Sequence, residues 1–460
     1  MSSDPLHALS PLDGRYRQDA AALRPYGSEY ALLRGRLRVE VEYLIALAAH
    51  PGVAFLRPLT AEEIGFLRRL YENFDDADAA RLKTIEAEIR HDVKAVEYFL
   101  GERLAGTSLE PLRAGIHFGL TAEDATNLAY ALNLRDAMRA VMLPALDDVI
   151  AALEELAGRY ADLPMLARTH GQPASPTTLG KELAVFAARL QGQRTALDAL
   201  TADLPGKLTG ATGNFNAHQA ACPAVDWIAF SRDFVASLGL RPSLLTTQVE
   251  PGDSLAALFD GLGRANTILL DLCQDMWRYL SDGYLRQRAV ASEVGSSTMP
   301  HKVNPIQFEN AEGNLAVANA LLGLLARRLP ISRLQRDLSN STVMRNVGVA
   351  LGHSLLAYKH VRRGLGRAVA DEERLRADLN AHWEVVTEAI QTILRREGMA
   401  DAYDRLKTFS RGAAITRADI AALVGSLDVP EAVKAELLAL SPETYTGLAA
   451  KLATDERPSG

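Results

Sequence analysis

Long uninterrupted runs of helical periodicity constrain this chain more than any other feature. From Thr121 the apolar pattern continues to about Tyr160, with one kink expected at Pro144, which has no N–H to donate. An unbroken helix of about 40 residues would span roughly 60 Å. Further runs are expected from Thr177 to Ala202, Asp253 to Arg286, Pro305 to Arg328 and Asp337 to Arg367. Five such helices in series point to an all-α fold built on a long bundle. Their apolar stripes need more cover than one bundle supplies, so association of bundles into an oligomer is the natural remedy.

The flanks carry shorter helices. One is expected from about Ser28 to Ala49, and Thr60-Ala61-Glu62-Glu63 reads as a capping box ahead of another. Thr121-Ala122-Glu123-Asp124 reads as a capping box with Asp in place of Glu, and Thr416-Arg417-Ala418-Asp419 as a helix start. The 460 residues exceed one hydrophobic core. The expected division is an N-terminal helical domain over 1–112, the long-helix domain over 113–365, and a C-terminal helical domain over 366–460. Leu163 to Thr169 and Lys207 to Phe215 read as extended connectors, rich in Gly, Pro, Thr and Asn.

A net charge of -7 argues against a non-specific nucleic-acid binder. It leaves room for an anionic substrate, because a few cations can be concentrated in one site. Cys222 and Cys273 form no CxxC pair and sit in no zinc-like cluster, which fits a reducing compartment and small core residues. No basic start followed by an apolar run opens the chain, and charges break every apolar stretch short of a membrane span. The expected location is the cytoplasm, with no membrane partner.

The most unusual segment is Gly295-Ser296-Ser297-Thr298-Met299-Pro300-His301-Lys302-Val303-Asn304-Pro305-Ile306. Gly295, Pro300 and Pro305 keep it out of a helix, and Asn304-Pro305 is a strong helix start. Hydroxyls, an ammonium group and backbone N–H groups gathered at a helix N-terminus suit an anion. Thr298 or Asn304 alone would read as ordinary capping residues; twelve such residues together do not.

GSSTMPHKVNP resembles the signature loop of the fumarase/aspartase superfamily, in the form carried by its adenylosuccinate lyase family. SPLDGRY (Ser10 to Tyr16), RHDVKAVEYFL (Arg90 to Leu100), HFGLTAEDATN (His117 to Asn127), RTHGQPA (Arg168 to Ala174), TTQVEP (Thr246 to Pro251) and QRDLSNSTVMRN (Gln335 to Asn346) are similar to that family in the same order. The opening and the length resemble its longer bacterial form. The resemblance implies a three-domain fumarase/aspartase-like fold, with a 20-helix core built by four chains and sites shared between three subunits of a homotetramer. It implies two eliminations in purine nucleotide biosynthesis. Adenylosuccinate would give AMP and fumarate, and succinylaminoimidazole-carboxamide ribotide its carboxamide and fumarate. No metal or organic cofactor is implied.

Both reactions take a proton from carbon beside a carboxylate and expel nitrogen from the next carbon. The carbanion adds charge to a fragment already negative, so fixed donors and a cation must stabilise it. Lys302 is the candidate cation, with Ser297, Thr298 and Asn304 as donors. Chemistry alone favours a histidine base, whose pKa lies near neutrality. The resemblance points instead to Ser296, with Ser297 a competitor that spacing does not separate. A serine needs a nearby positive charge to act as a base, and Lys302 is placed to supply it.

By resemblance His170 is the acid that protonates the leaving nitrogen, Glu309 pairs with it, and Asn310 joins the substrate contacts. Arg90, His91 and Asp92 would contact the nucleotide, and His91 is a candidate catalytic residue as well. Arg15, Tyr16, Arg336, Ser341 and Arg345 would take the phosphate, replacing the absent GxxxxGK loop; singly, Arg336 and Arg345 read almost as well as surface charges. Gln248 matches a substrate-contacting glutamine, and Thr121 a hydroxyl on the succinyl part. Ala122 stands where the family usually has serine, which removes one hydroxyl. His7, His50, His353, His360 and His382 read as ordinary, and His117, His218 and His301 as intermediate.

Lyases for argininosuccinate or aspartate and carboxymuconate cycloisomerases share the signature chemistry but not the nucleotide phosphate, so SPLDGRY and QRDLSNSTVMRN weigh against them. A non-catalytic helical relative would have no use for Ser296, Lys302, His170 and Glu309 together.

Overall fold

The computed structural model describes residues 5–288, 298–299, 301–410 and 414–454, and these pack as two compact units. One comprises 1–146, 193–267 and 313–359; the other 147–192, 268–312 and 360–460. Helices dominate both, and the described strands form only three two-stranded pairs.

The first unit is built around helix Glu29–Ala49, which starts on a Ser28 side chain accepting from the Ala31 N–H. Nearly every position of the helix is buried or half-buried, its charged residues included. Leu37, Leu44 and Leu47 are fully covered, and each contributes about 1.5–3 kcal/mol of apolar transfer energy. Its buried charges, Arg36 and Glu40, lie one turn apart. Gly35 lets helix Ala122–Ala137 come close, since a Cβ there would lie 3.1 Å from the Ala129 methyl. Asn133 locks this approach by donating to the Ala31 carbonyl at 3.1 Å.

The irregularity expected at Pro144 takes the form of a wide π-helical turn, Met138–Met142, before helix Leu143–Arg159. The Leu143 N–H reaches back to the Met138 carbonyl. Widening relieves the clash between the proline ring and the carbonyl four residues earlier. The capping box at Thr60 forms as the sequence suggests, with Glu63 Oε2 accepting from the Thr60 N–H and Thr60 Oγ1 from the Glu63 N–H.

The long helices observed are Leu179–Ala202, Asp253–Ser281, Ile306–Arg328 and Val347–Arg367. The run expected to Arg286 stops at Ser281, because Gly283 turns left-handed at φ 77 and Leu285–Gln287 pairs antiparallel with Ala368–Ala370. The run expected from Asp337 divides into Ser339–Met344 and Val347–Arg367. In the second unit, Pro164–Thr169 is a strand, as its composition suggested, and it pairs with Gln172–Thr178. Lys207 to Phe215 is irregular rather than a strand. A separate core in this unit gathers Leu379, Val386, Ile390, Leu394, Ile420 and Leu437.

Candidate active site

Within the first unit, one cluster forms where Arg90-His91-Asp92 starts helix Asp92–Leu104. Arg90 ends the preceding helix in the left-handed region at φ 55, so the chain turns sharply and presents His91 as the next N-cap. His91 Nδ1 accepts from the Lys94 N–H at 3.1 Å. That bond leaves the proton of the neutral ring on Nε2, where it serves as an outward donor. Asp92 lies 2.9 Å from Arg36 and 3.4 Å from Arg345. Burial, the largest influence on Asp92, opposes its ionisation. Arg36, the Val93 N–H and Arg345 together outweigh burial and hold the carboxyl below its usual range. Arg345 also meets Glu29 at 2.7 Å.

Arg36 is only 3% exposed. Its Nε donates to Thr126 on helix Ala122–Ala137 at 3.1 Å, its Nη2 pairs with Asp92, and its Nη1 is buried with no partner among the described residues.

A second cluster sits at the start of helix Ala122–Ala137. Arg336 donates from Nη1 to Gln248 Oε1 at 3.0 Å, and Gln248 donates onward to the Ala211 carbonyl at 2.7 Å. The other nitrogen of Arg336, Nη2, lies 3.3 Å from Glu123 and 3.5 Å from Ser341 Oγ. Glu123, Arg336, Asn340 and Ser341 line a cavity of about 60 Å³, together with Glu250 and Asp337. Burial pushes the Glu123 carboxyl up, and Arg336, Lys207 and Arg36 only partly offset it.

Beneath both clusters, Asp124 and Lys207 form an ion pair at 2.7 Å with neither side chain exposed. Asp124 Oδ1 also accepts from the Thr209 and Gly210 N–H groups, and Oδ2 from the Thr121 N–H. Lys207 donates a second bond to the Gly210 carbonyl. One carboxylate therefore ties the Thr121 turn to the loop that holds Gln248. Burial lowers the Lys207 pKa, and Asp124 offsets that in part.

Two histidines of this unit are structural supports. His117 Nδ1 meets the buried Glu40 at 2.6 Å. Burial, the largest influence, opposes its protonation, but Glu40, Glu97 and Asp124 together outweigh burial and leave its pKa raised. Tyr43 donates its only proton to the Phe118 carbonyl at 2.7 Å, so its oxygen accepts from His218 Nε2–H at 2.9 Å. Burial then pushes His218 down to about 4. Arg15 and Tyr16 lie beside one another, the guanidinium 5.8 Å from the ring centre.

In the second unit, His170 and Gly171 form the two-residue turn of the hairpin, with φ 54 and 76 and Thr169 opposite Gln172. Two positive φ values suit a tight turn that follows strand twist. The turn places the exposed imidazole at the tip, and Arg168 below it is fixed by Asp378 at 2.8 Å. Lys302 and Glu309 are exposed at the approach to helix Ile306–Arg328 and within its first turn, and Asn304 and Asn310 are half-buried. Glu309 accepts from Trp277 Nε1 at 3.1 Å. Among the described residues its pairing with His170 is not made within the chain. Ser296 and Ser297 lie outside the described residues.

The structure thus brings together Gln248, Arg336 and Ser341, with Thr121 tied to their loop, and separately His91, Asp92 and Arg345. Sequence reasoning did not identify Arg36, Glu123, Asp124, Lys207 or Trp277. Arg36 and Glu40 left only a weak signal, two charges one turn apart in a helix that also has Arg34, Arg38 and Glu42.

Residues 14–319 match the lyase family and residues 332–446 the adenylosuccinate lyase C-terminal family. The chain is 46% identical over 450 residues to adenylosuccinate lyase of Escherichia coli (strain K12), covering 98% of each. It is 47% identical over 453 residues to that of Legionella pneumophila (strain Corby), covering 98% of this chain and 99% of the relative. With that of Dictyostelium discoideum it shares 47% over 458 residues, covering 96% and 97%. The fold is similar to 3-carboxy-cis,cis-muconate lactonizing enzyme from Pseudomonas putida, with a TM-score of 0.75, 22% identity, and 94% and 95% of the two chains covered. It is equally similar to fumarate lyase from Mesorhizobium sp. BNC1, at TM-score 0.75 and 18% identity, covering 94% and 96%.

Proposed function

The chain belongs to the adenylosuccinate lyase family, and we propose from that premise that it eliminates fumarate from two substrates, adenylosuccinate and succinylaminoimidazole-carboxamide ribotide. The observation that carries this reading is the likeness to curated adenylosuccinate lyases over nearly the whole chain. The arrangement of Gln248, Arg336 and Ser341 in one cluster, with Asp92 and Arg345 in another, supports a phosphorylated ligand. A guanidinium group with a hydroxyl beside it suits phosphate oxygens.

In this mechanism Ser296 removes the carbon proton, and Lys302 stabilises both its alkoxide and the charge that builds on the succinyl carboxylate. His170 then protonates the departing nitrogen, with Glu309 fixing the ring. Thr121, Ser297, Asn304 and Asn310 hold the succinyl part. Arg90, His91 and Asp92 contact the nucleotide, and Arg15, Tyr16, Arg336, Ser341 and Arg345 the phosphate. His91 contributes an Nε2–H donor to the ligand.

His170 and Glu309 are both exposed in the single chain, and a catalytic acid gains from exclusion of water. That favours a homotetramer in which three subunits complete each site. The exposed Trp277, Val317 and Leu324 on long helices favour the same assembly. The three-segment division at 112 and 365 and a cytoplasmic location belong to this reading as well. Among the described residues no helix is long and apolar enough to cross a membrane.

The test is substrate choice. Purified protein should consume adenylosuccinate, followed by its ultraviolet absorbance, and leave argininosuccinate untouched. Turnover of argininosuccinate with adenylosuccinate inert would replace this reading with its nearest rival.

A further inference from the structure

Glu123 stands in the way of a phosphate at Arg336. Arg336 has two terminal nitrogens, each with two N–H groups, and Gln248 accepts one of those on Nη1 at 3.0 Å. The remaining nitrogen, Nη2, faces Ser341 Oγ at 3.5 Å and Glu123 Oε2 at 3.3 Å. A phosphate held by Nη2 and Ser341 would therefore sit beside the Glu123 carboxylate. Two anionic groups at such a distance in a poorly hydrated cluster repel strongly.

Arg36, Arg336 and Arg345 are matched by Asp92, Glu123 and Glu29. Beneath them Lys207 is matched by Asp124. Each of these cations therefore already has a carboxylate partner, and a phosphate monoester near neutral pH adds about 1.5 to 2 negative charges. Glu29 is 39% exposed and can turn its carboxylate to water. Glu123 is 16% exposed and lies on the first turn of a helix whose start is pinned by Asp124. It cannot leave as easily, so its alternative is to take up a proton. The charged groups around it are Arg336, Lys207, Arg36 and Asp124, with Glu250 and Asp337 on the same cavity wall. Asp337 is itself met by Arg328 at 3.5 Å, and Glu250 accepts from the Gly252 N–H at 2.8 Å. Three carboxylates share the wall of the cavity that Arg336 lines, so the uptake of a further anion without a proton is costly. Burial already favours the protonated form of Glu123.

We propose that Glu123 is a proton-coupled counter-ion of the phosphate site: its carboxylate balances Arg336 when the site is empty and binds one solvent proton when a nucleotide monophosphate arrives. The Glu123 carboxylate and H⁺ give the carboxylic acid, whose O–H then donates to a phosphate oxygen. The inference rests on the reading that Arg336 holds the phosphate.

The experiment is calorimetric titration of the full-length protein with AMP in buffers of different ionisation enthalpy, from pH 6.5 to 8. Each wild-type titration is paired with the Glu123→Gln variant, so that protonation of AMP itself cancels. The wild type should take up as much as one proton more than Glu123→Gln per AMP bound. Its affinity should fall by up to about tenfold per pH unit beyond the fall seen in the variant. Adenosine, which lacks the phosphate, should show no excess uptake. Should Glu123→Gln fold poorly, equal proton uptake with AMP and adenosine in the wild type, corrected for the known titration of AMP, would by itself overturn the inference. Equal uptake and equal pH slopes in wild type and variant, with Arg336→Met binding AMP far more weakly, would overturn the inference and leave the phosphate assignment standing. Unchanged AMP affinity in Arg336→Met would overturn both.

Discussion

His218 ties acid sensitivity of the fold to a single buried ring. Its Nε2–H is committed to Tyr43, its Nδ1 is buried with no partner among the described residues, and Trp227 lies 4.7 Å from its centre. Gly119, with φ 71, packs directly on the ring, where a Cβ would lie 2.7 Å from Nε2. Burial lowers the pKa from 6.5 to about 4. A group depressed in the folded state binds more protons when unfolded, so stability falls with pH between those two values. At about 1.36 kcal/mol per pKa unit, moving from pH 7 to pH 5 should cost about 2 kcal/mol. His117 acts in the opposite sense. Its raised pKa gives a contribution fully present below its unfolded value and lost as pH rises through the folded one. It therefore adds no loss between pH 6.5 and 5. Urea denaturation followed by far-ultraviolet circular dichroism at both pH values measures the effect. His218→Gln keeps a donor for Tyr43 and removes the titration, so its loss between pH 7 and 5 should be smaller by about 2 kcal/mol. The same loss in both proteins would refute the buried neutral imidazole.

Ser296→Ala should nearly abolish turnover while leaving adenylosuccinate binding intact, whereas Ser297→Ala should retain measurable turnover; stopped assays and equilibrium binding separate the two effects. Inactive His170→Gln and Ser296→Ala proteins should regain activity when mixed and allowed to exchange subunits, and no recovery after confirmed exchange would count against shared sites. Lys207→Met leaves Asp124 buried without its cation and should cost about 3–5 kcal/mol in urea denaturation, while a cost below 1 kcal/mol would mean that the pair is not dry.

The helices were legible where a local signal exists. Thr60 and Glu63 announce a helix start because both partners of the capping box lie three residues apart. The hairpin that carries His170 was half legible. Pro164–Thr169 looked extended, but Gln172–Thr178 became a strand only through pairing. The stop at Ser281 depended on a left-handed Gly283 and on a strand partner more than eighty residues away. The same distance hid the buried charges. Lys207 finds Asp124 across 83 positions, and Arg36 finds Thr126 across 90. Local periodicity contains no information about such pairs, although a charge on an apolar helix face signals that a partner must exist. The motifs behaved differently, because Gln248, Arg336 and Ser341 were each marked by a resemblance that local pattern did not supply.

The most direct measurement is product analysis after incubation of the purified protein with adenylosuccinate. Equal amounts of AMP and fumarate, formed in step with substrate loss, are the expected result. Tight binding of adenylosuccinate with no fumarate formed at any protein concentration would contradict the elimination on which the account depends.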